Sequence, residues 1–372
     1  MTKHLDSLKI QNFRMLEDFE VEKLGQVNLI VGKNNSGKSS VLEALRIYAG
    51  NADRHLLEEI AKEHGEKFKL FDDEVGNPKS EVYFKDFFSG RKPHNASFFH
   101  IGEFKNPNNA LFLVFVNGDK SGFEQSHPEA ISLFKIAQKE WKQRKIIRSF
   151  FVINGKFRHV YMIDEPNFDV LTTGLAEDIP CGSTPTQLPK LEELAEKWDS
   201  IVFTDAEKEV INALSIIEPT IQGVAFIQDK NKVTGERTAI VRLQSQAQPV
   251  PLKSLGDGMQ RILQIALNIY QAKDGFLLID EFENGLHYSV QEKVWGLIFE
   301  MAKRLNIQVF ATTHSWDCIE AFSEVASKRE DVEGLLFSMG RSAKSSDNGK
   351  IIATIFDEAK LQRFTQADME VR

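Results

Sequence analysis

Val27-Asn-Leu-Ile-Val-Gly-Lys-Asn-Asn-Ser-Gly-Lys-Ser-Ser40 contains the pattern G-x-x-x-x-G-K-S/T, filled by Gly32, Gly37, Lys38 and Ser39. Its surroundings suit that pattern. Val27, Leu29, Ile30 and Val31 read as a buried strand, Val41, Leu42, Leu45 and Tyr48 recur at helical spacing, and Gly50 can stop the helix. A loop between a strand and a helix offers successive backbone N–H groups and the positive helix end to a di- or triphosphate, and its glycines let the backbone come close. Lys38 is placed to reach the terminal phosphates, and the Ser39 hydroxyl to hold Mg2+. The expected contact set is Gly32, Lys33, Asn34, Asn35, Ser36, Gly37, Lys38, Ser39 and Ser40.

At 372 residues the chain is long enough for two structural units and a sizeable core. It has no run of eighteen apolar residues, and Met1-Thr-Lys-His-Leu-Asp-Ser-Leu8 lacks a signal-peptide pattern, so a cytoplasmic protein with no membrane contact is expected. Cys181 and Cys318 are too few for a disulfide framework and have no metal-ligand spacing, which leaves buried thiols. A net charge of −8 argues against a surface that is basic throughout, yet allows a local nucleic-acid patch. Of the 28 phenylalanines, several alternate or double across 68–123 and read as core-facing β positions.

Leu5-Asp-Ser-Leu-Lys-Ile-Gln-Asn-Phe-Arg14 alternates like a half-buried strand and is expected to pair near the phosphate-loop strand. Between 51 and 200 the pattern loosens. A charged helix over His55–Lys69 precedes short aromatic strands at Ser97–Ile101 and Leu111–Val116. A basic segment follows, then a hairpin of Phe150–Ile153 and Val160–Ile163 around Asn154-Gly155. Cys181–Pro189 reads as a loop. Thr204-Asp-Ala-Glu207 reads as a capping box for a helix with Val210, Ile211, Leu214 and Ile217 on its apolar face. Gly223–Gln228 and Thr238–Gln244 follow as strands joined by the polar turn Asp229–Arg237. Beyond Pro251 come a helix over 258–273, the apolar strand Phe276–Ile279, a helix over 289–305 and the strand Ile307–Thr312. Uninterrupted apolar strands alternating with helices indicate a parallel sheet covered on both faces.

Three later stretches complete a site. Phe276-Leu-Leu-Ile-Asp-Glu281 is a buried strand that would deliver two acids to the sheet's carboxyl edge, where α/β proteins bind ligands. Asp280 is expected to hold Mg2+ opposite Ser39, and Glu281 to orient and deprotonate an attacking water. Ile307-Gln-Val-Phe-Ala-Thr-Thr-His-Ser315 brings His314 to the same edge, to contact the γ-phosphate or the water, while Ser315 is expected to cap the next helix with Asp317 in its first turn. Pro251-Leu-Lys-Ser-Leu-Gly-Asp-Gly-Met-Gln-Arg261 is a small-residue turn feeding a helix N-terminus, a second anion-binding arrangement through Ser254, Gly256 and Gly258.

The order of phosphate loop, signature turn, acidic strand and histidine resembles that of ABC-type ATPases. About two hundred residues separate Lys38 from Gly256, more than a compact transporter ATPase needs. Leu8-Lys-Ile-Gln-Asn-Phe-Arg14, Asp280-Glu-Phe-Glu-Asn-Gly-Leu-His287 and Thr312-Thr-His-Ser315 resemble the soluble branch that includes RecF, the structural-maintenance-of-chromosomes (SMC) heads and, above all, the ATPase half of the OLD (overcoming lysogenization defect) family. The resemblance covers roughly 1–50 and 200–325. It implies an α/β fold, a P-loop NTPase of the ABC-ATPase head type. A mainly parallel sheet flanked by helices is expected, with an antiparallel β subdomain and an α/β insertion. The head is expected in 1–50 and 200–372, and the insertion in 51–199. Two departures stand out. The usual Leu-Ser-Gly-Gly-Gln signature becomes Leu255-Gly-Asp-Gly-Met259, with Gly256 for the serine and Asp257 for one glycine, and too few residues follow 325 for the Toprim nuclease domain of the OLD proteins.

The resemblance implies two heads facing each other, each ATP lying between one chain's phosphate loop and the other's signature, in a homodimer or higher homo-oligomer. The first expected function is thus an ATPase using ATP and Mg2+ that regulates a separate effector, a Toprim-type nuclease or similar, in antiphage defence. The second is a RecF-like repair ATPase that binds DNA, supported by the basic run Lys135–Arg148 around Trp141. The third is an ATP-dependent scaffold with little turnover, suggested by Gly256 and Asp257.

Overall fold

The computed structural model describes residues 3–71, 78–82, 84–91, 97–106, 109–117, 148–155, 157–162, 169–173, 177–187, 189–228 and 237–356. Strands β1 (Leu8–Phe13) and β2 (Leu16–Val21) form a hairpin, and β3 (Val27–Gly32) leads through the phosphate loop into α1 (Lys38–Ala49). Helix α2 (Arg54–Glu63) and the strand pair β4 (Lys67–Phe71) and β5 (Pro78–Val82) follow. Then come β6 (Phe98–Gly102), β7 (Ala110–Asn117), β8 (Arg148–Asn154), β9 (Phe157–Met162), β10 (Asp169–Thr173) and β11 (Cys181–Thr184). Helices α3 (Leu191–Asp199) and α4 (Asp205–Leu214) precede the small sheet of β12 (Ile221–Gln228), β13 (Arg237–Leu243) and β14 (Val250–Pro251). The last third runs α5 (Asp257–Gln271), β15 (Phe276–Ile279), α6 (Tyr288–Arg304), β16 (Gln308–Thr313), α7 (Trp316–Ser327), β17 (Gly334–Arg341) and β18 (Ile351–Phe356).

The phosphate-loop strand lies inside a sheet of order β11-β15-β16-β3-β17-β18, in which all neighbours are parallel except β17 and β18. Every residue of β3, β15 and β16 is buried, as parallel strands covered on both faces require. The period of two then sorts the core. Val27, Leu29, Val31, Leu277, Ile279, Val309 and Ala311 join the core under α3 to α7, whereas Ile30, Phe276, Leu278 and Phe310 face the core around α1. Each Val, Leu, Ile or Phe side chain of this set contributes about 1.5–3 kcal/mol on leaving water, so a slip of one residue would misplace the whole set.

A second, wholly antiparallel sheet of order β10-β9-β8-β7-β6-β1-β2 covers the α1 face. The chain between 51 and 199 is thus continuous with its flanks: β6 to β10 extend the sheet that β1 and β2 begin, and β11 extends the parallel one. Phe13, Phe87, Phe88, Phe99 and Phe150 fill the space over α1, with Phe13 and Phe99 edge-to-face at 5.3 Å and Phe88 and Phe150 stacked at 6.2 Å. Of the phenylalanines expected to face the core across 68–123, Phe87, Phe88 and Phe99 do so, Phe98, Phe112 and Phe115 are half-buried, and Phe104 is exposed.

Several local expectations need correction. The Leu5–Arg14 strand pairs with β2 and β6, not with the phosphate-loop strand. The Arg14 guanidinium then fastens the β1–β2 turn to α1, pairing with Glu43 and, at 2.6 Å, with Glu66. The helix expected over His55–Lys69 stops at Glu63, and Lys67–Phe71 is a strand. Cys181–Pro189 begins as β11, because pairing with β15 supplies the hydrogen bonds that its loop-like composition does not advertise. Thr204 caps α4, but Glu207 accepts from the Phe203 N–H and not from Thr204. Ser315 occupies the N-cap of α7 without a side-chain cap bond. Residues 135–147 of the basic run, Ile163 and 229–236 of the polar turn lie outside the described residues.

Candidate functional site

At the carboxyl edge of the parallel sheet, the loop after β3 bends through Gly32 at φ +153° and Gly37 at φ +92° into α1. The first turn of α1 carries no acidic residue and no side-chain cap, so its N–H groups and dipole stay free for an anion. Lys33, Asn34, Asn35 and Ser39 are exposed, while Ser36, Lys38 and Ser40 are buried. The Lys38 ammonium donates to the carbonyls of Gly32 at 2.7 Å and Lys33 at 3.2 Å. Burial lowers its pKa, against the pull of Asp280, Glu281 and Glu283. The buried Ser36 hydroxyl has no partner among the described residues. A buried cation held only by carbonyls, an unmatched hydroxyl and a free helix N-terminus all suit a polyphosphate.

Strand β15 brings Asp280 to the Ser39 hydroxyl, 3.1 Å from one carboxylate oxygen and 3.3 Å from the other. The carboxylate also accepts from Thr312 at 2.6 Å and Thr186 at 3.2 Å. A hydroxyl and a carboxylate are the hard oxygen ligands that Mg2+ takes. Among the described residues no group of three or more His, Cys, Asp or Glu gathers as a metal site, so phosphate and water would supply the other ligands.

Glu281 sits in the left-handed region at φ +47°, a conformation that strains a residue with a side chain. Its surroundings hold it there. Its N–H donates to Thr312 Oγ1 at 2.8 Å, and Arg261 Nη2 donates to the carbonyls of Asp280 at 2.5 Å and Glu281 at 3.0 Å. The side chain stays 37% exposed, open to water. His314 lies alongside, its Nδ1 3.9 Å from Glu281 and 3.1 Å from Glu283.

Phosphate loop, Asp280, Glu281 and His314 are therefore brought together, as expected. Ser254, Gly256 and Gly258 are not in that cluster. They form a turn at the start of α5, where Ser254 and Gly256 are exposed and the Ser254 hydroxyl is spent on the Pro251 carbonyl at 2.6 Å. Gly256 at φ +99°, ψ 163° occupies a conformation kept almost entirely to glycine, which accounts for the missing serine. Gly258 lies so close to the Gly285 carbonyl that a Cβ would stand 2.8 Å from it, which ties this turn to the loop after the acidic strand.

Three contributors escape a linear reading. Thr186 reaches Asp280 from the end of β11, a strand that no local pattern marks. Thr312 grips both Asp280 and Glu281, and only the pairing of β15 with β16 reveals it. Arg261 is 1% exposed, and burial holds its pKa down to about 10. It links α5 to the Pro185 carbonyl at 2.6 Å as well as to the acidic strand. An arginine at a core position of an amphipathic helix is the signal that could have found it.

Comparison with known proteins places this geometry. Residues 4–142 match a family described as an AAA ATPase domain. Residues 193–317 match one described as an AAA domain, a description that also names the AbiEii toxin and a type IV TA system. A Helicobacter pylori protein named "ATP/GTP phosphatase" is 22% identical over 350 residues, covering 88% of this chain and 89% of that one. The Haemophilus ducreyi DNA replication and repair protein RecF is 41% identical over 69 residues, 18% of this chain and 19% of its own. A solved SMC head, bound to the C-winged helix domain of ScpA, shares the fold at a TM-score of 0.50 and 11% identity, over 97% of this chain and 100% of that one. Fold and site define a P-loop ATPase with the ABC-type head. The chain is similar to AAA ATPase domains over 4–142 and 193–317, and it shares the fold of the SMC head.

Proposed function

We propose that the chain binds Mg-ATP at the phosphate loop and hydrolyses it slowly with Glu281 as general base. The loop N–H groups and Lys38 hold the β- and γ-phosphates, while Ser39 and Asp280 hold the cation, which when bound neutralises charge developing on the phosphates. Glu281 takes a proton from water as it attacks the γ-phosphorus in line, giving ADP and phosphate. His314 contacts the γ-phosphate and reports its loss. The observation that carries this reading is the 3.1 Å contact between Ser39 and Asp280 beneath the strained, open Glu281.

The exposed signature turn then serves a second copy. ATP joins two heads by lying between one chain's loop and the other's Ser254, Gly256 and Gly258, and hydrolysis releases them. The assembly works in the cytoplasm on an effector protein, a Toprim-type nuclease being the class implied by resemblance to the OLD ATPases, in antiphage defence. The toxin–antitoxin wording attached to the family over 193–317 supports that direction. Among the described residues no helix is long and apolar enough to cross a membrane. Light scattering of Glu281→Gln with and without Mg-ATP tests the assembly. A mass that doubles or more with ATP is expected, and an unchanged monomer overturns it. The likeness to RecF favours a second reading, in which DNA is the regulated partner. In that case duplex DNA accelerates turnover, and raising the salt removes the effect.

A further inference from the structure

Glu283, two residues beyond Glu281, has no part in the hydrolysis steps above, yet it is the better connected of the two. Its side chain is 13% exposed. The carboxylate accepts from Thr313 Oγ1 at 2.7 Å and from the His314 backbone N–H at 3.0 Å, and lies 3.1 Å from His314 Nδ1. An ionised carboxylate only accepts, so a proton on the facing Nδ1 is the arrangement in which the two groups attract. The same Nδ1 is 3.9 Å from Glu281, so two carboxylates compete for one ring nitrogen.

We infer that Glu283 is the positioning residue of His314: by holding Nδ1–H it leaves Nε2 for the γ-phosphate and keeps the histidine from pairing with Glu281, whose carboxylate stays free for water. This rests on the proposed roles of Glu281 and His314. Without Glu283, a small rotation of the ring brings Nδ1 to Glu281 and occupies the base. Thr313 sets the carboxylate's angle from β16, so the strand end that delivers the histidine also fixes its orientation.

The test is a double-mutant cycle of Glu283→Gln and His314→Ala in the full chain. Glu283→Gln is expected to lower kcat about ten- to a hundred-fold, in the range that misplacement of a reacting group produces. ATP affinity should stay within about twofold and Tm near that of the parent. In the His314→Ala background the same change should cost about twofold or less. Losses that multiply, or a Glu283→Gln variant with parental kcat, would overturn the placement. A parental His314→Ala rate would instead count against His314 in the hydrolytic reading. Imidazole 15N spectra, with His314 assigned by its disappearance in His314→Ala, give a readout free of turnover. The Nδ1–H tautomer is expected in the parent and its loss in Glu283→Gln; an Nε2–H tautomer in the parent would refute the inference even if no hydrolysis occurs.

Discussion

The phosphate-loop edge and the signature turn differ in how far their groups are committed within one chain. At the first, Ser39, Asp280, Thr186, Thr312 and the Glu281 backbone are joined by hydrogen bonds of 2.6–3.3 Å. At the second, Lys253, Ser254, Gly256 and Asp257 are exposed, and Ser254 bonds only its own turn. The difference teaches that the phosphate-loop edge is preorganised within one chain, whereas the signature turn is left exposed, as its proposed role with a second copy requires. Arg261 belongs to both, because it leaves the signature helix and ends on the acidic strand's carbonyls.

The hardest blow to the first region is Lys38→Ala, which removes the buried ammonium beside the loop. ATP affinity should fall at least about a hundred-fold, since several charge-assisted hydrogen bonds go at once; isothermal titration would show it, and unchanged affinity would refute the site. Acid sets the window in which the two regions can be compared. Buried His100, its ring 4.7 Å from Phe112, has a pKa pushed down to about 4, chiefly by burial with Lys9 adding to it. Its unfolded value is near 6.5, so the unfolded chain gains the proton first. Stability is then whole above pH 6.5 and falls by up to about 3 kcal/mol on the way to pH 4. His100→Phe should flatten that slope in urea titrations.

Arg261→Met tests the bridge between the regions. It strands the backbone carbonyls of Pro185 and Asp280 and leaves that of Glu281 with the Asn284 N–H alone, and should cost about 2 kcal/mol of stability while lowering kcat more than ATP affinity. A variant with parental stability and kcat would show the two regions to be independent. The smallest effect belongs to Asp257→Asn. Removing an exposed negative charge from a turn proposed to meet a partner's γ-phosphate should tighten the ATP-dependent assembly a few-fold and leave ATP binding by the monomer alone, at a scale of about 1 kcal/mol or less. Sedimentation at two salt concentrations separates these contributions.

How much could be read in advance follows the same division. The phosphate loop, Asp280 and Glu281 were legible because each chemistry sits in one contiguous strand-and-turn, and the apolar runs Leu29–Val31 of β3 and Phe276–Ile279 of β15 announce a parallel sheet. Strand β11 was not, since Cys-Gly-Ser-Thr lacks apolar alternation. It is held as a strand by β15 on one side and by Asn268, which donates to the Ser183 carbonyl and Thr184 hydroxyl at 2.8 Å, on the other. Thr186, the third hydroxyl on Asp280, was hidden with it. The sheet membership of β1 was equally out of reach, because a half-buried alternating strand carries no label for its neighbour. Glu283 stood in plain view in Asp280-Glu-Phe-Glu283, but its service to His314 depends on two strand ends meeting.

Steady-state ATP turnover of the purified chain beside its Glu281→Gln variant tests the central claim most directly. The account predicts slow turnover that falls about a hundred-fold or more in the variant while ATP binding persists. Equal rates in the two proteins, or a parent with no turnover above the variant, would contradict it and leave a nucleotide-binding scaffold.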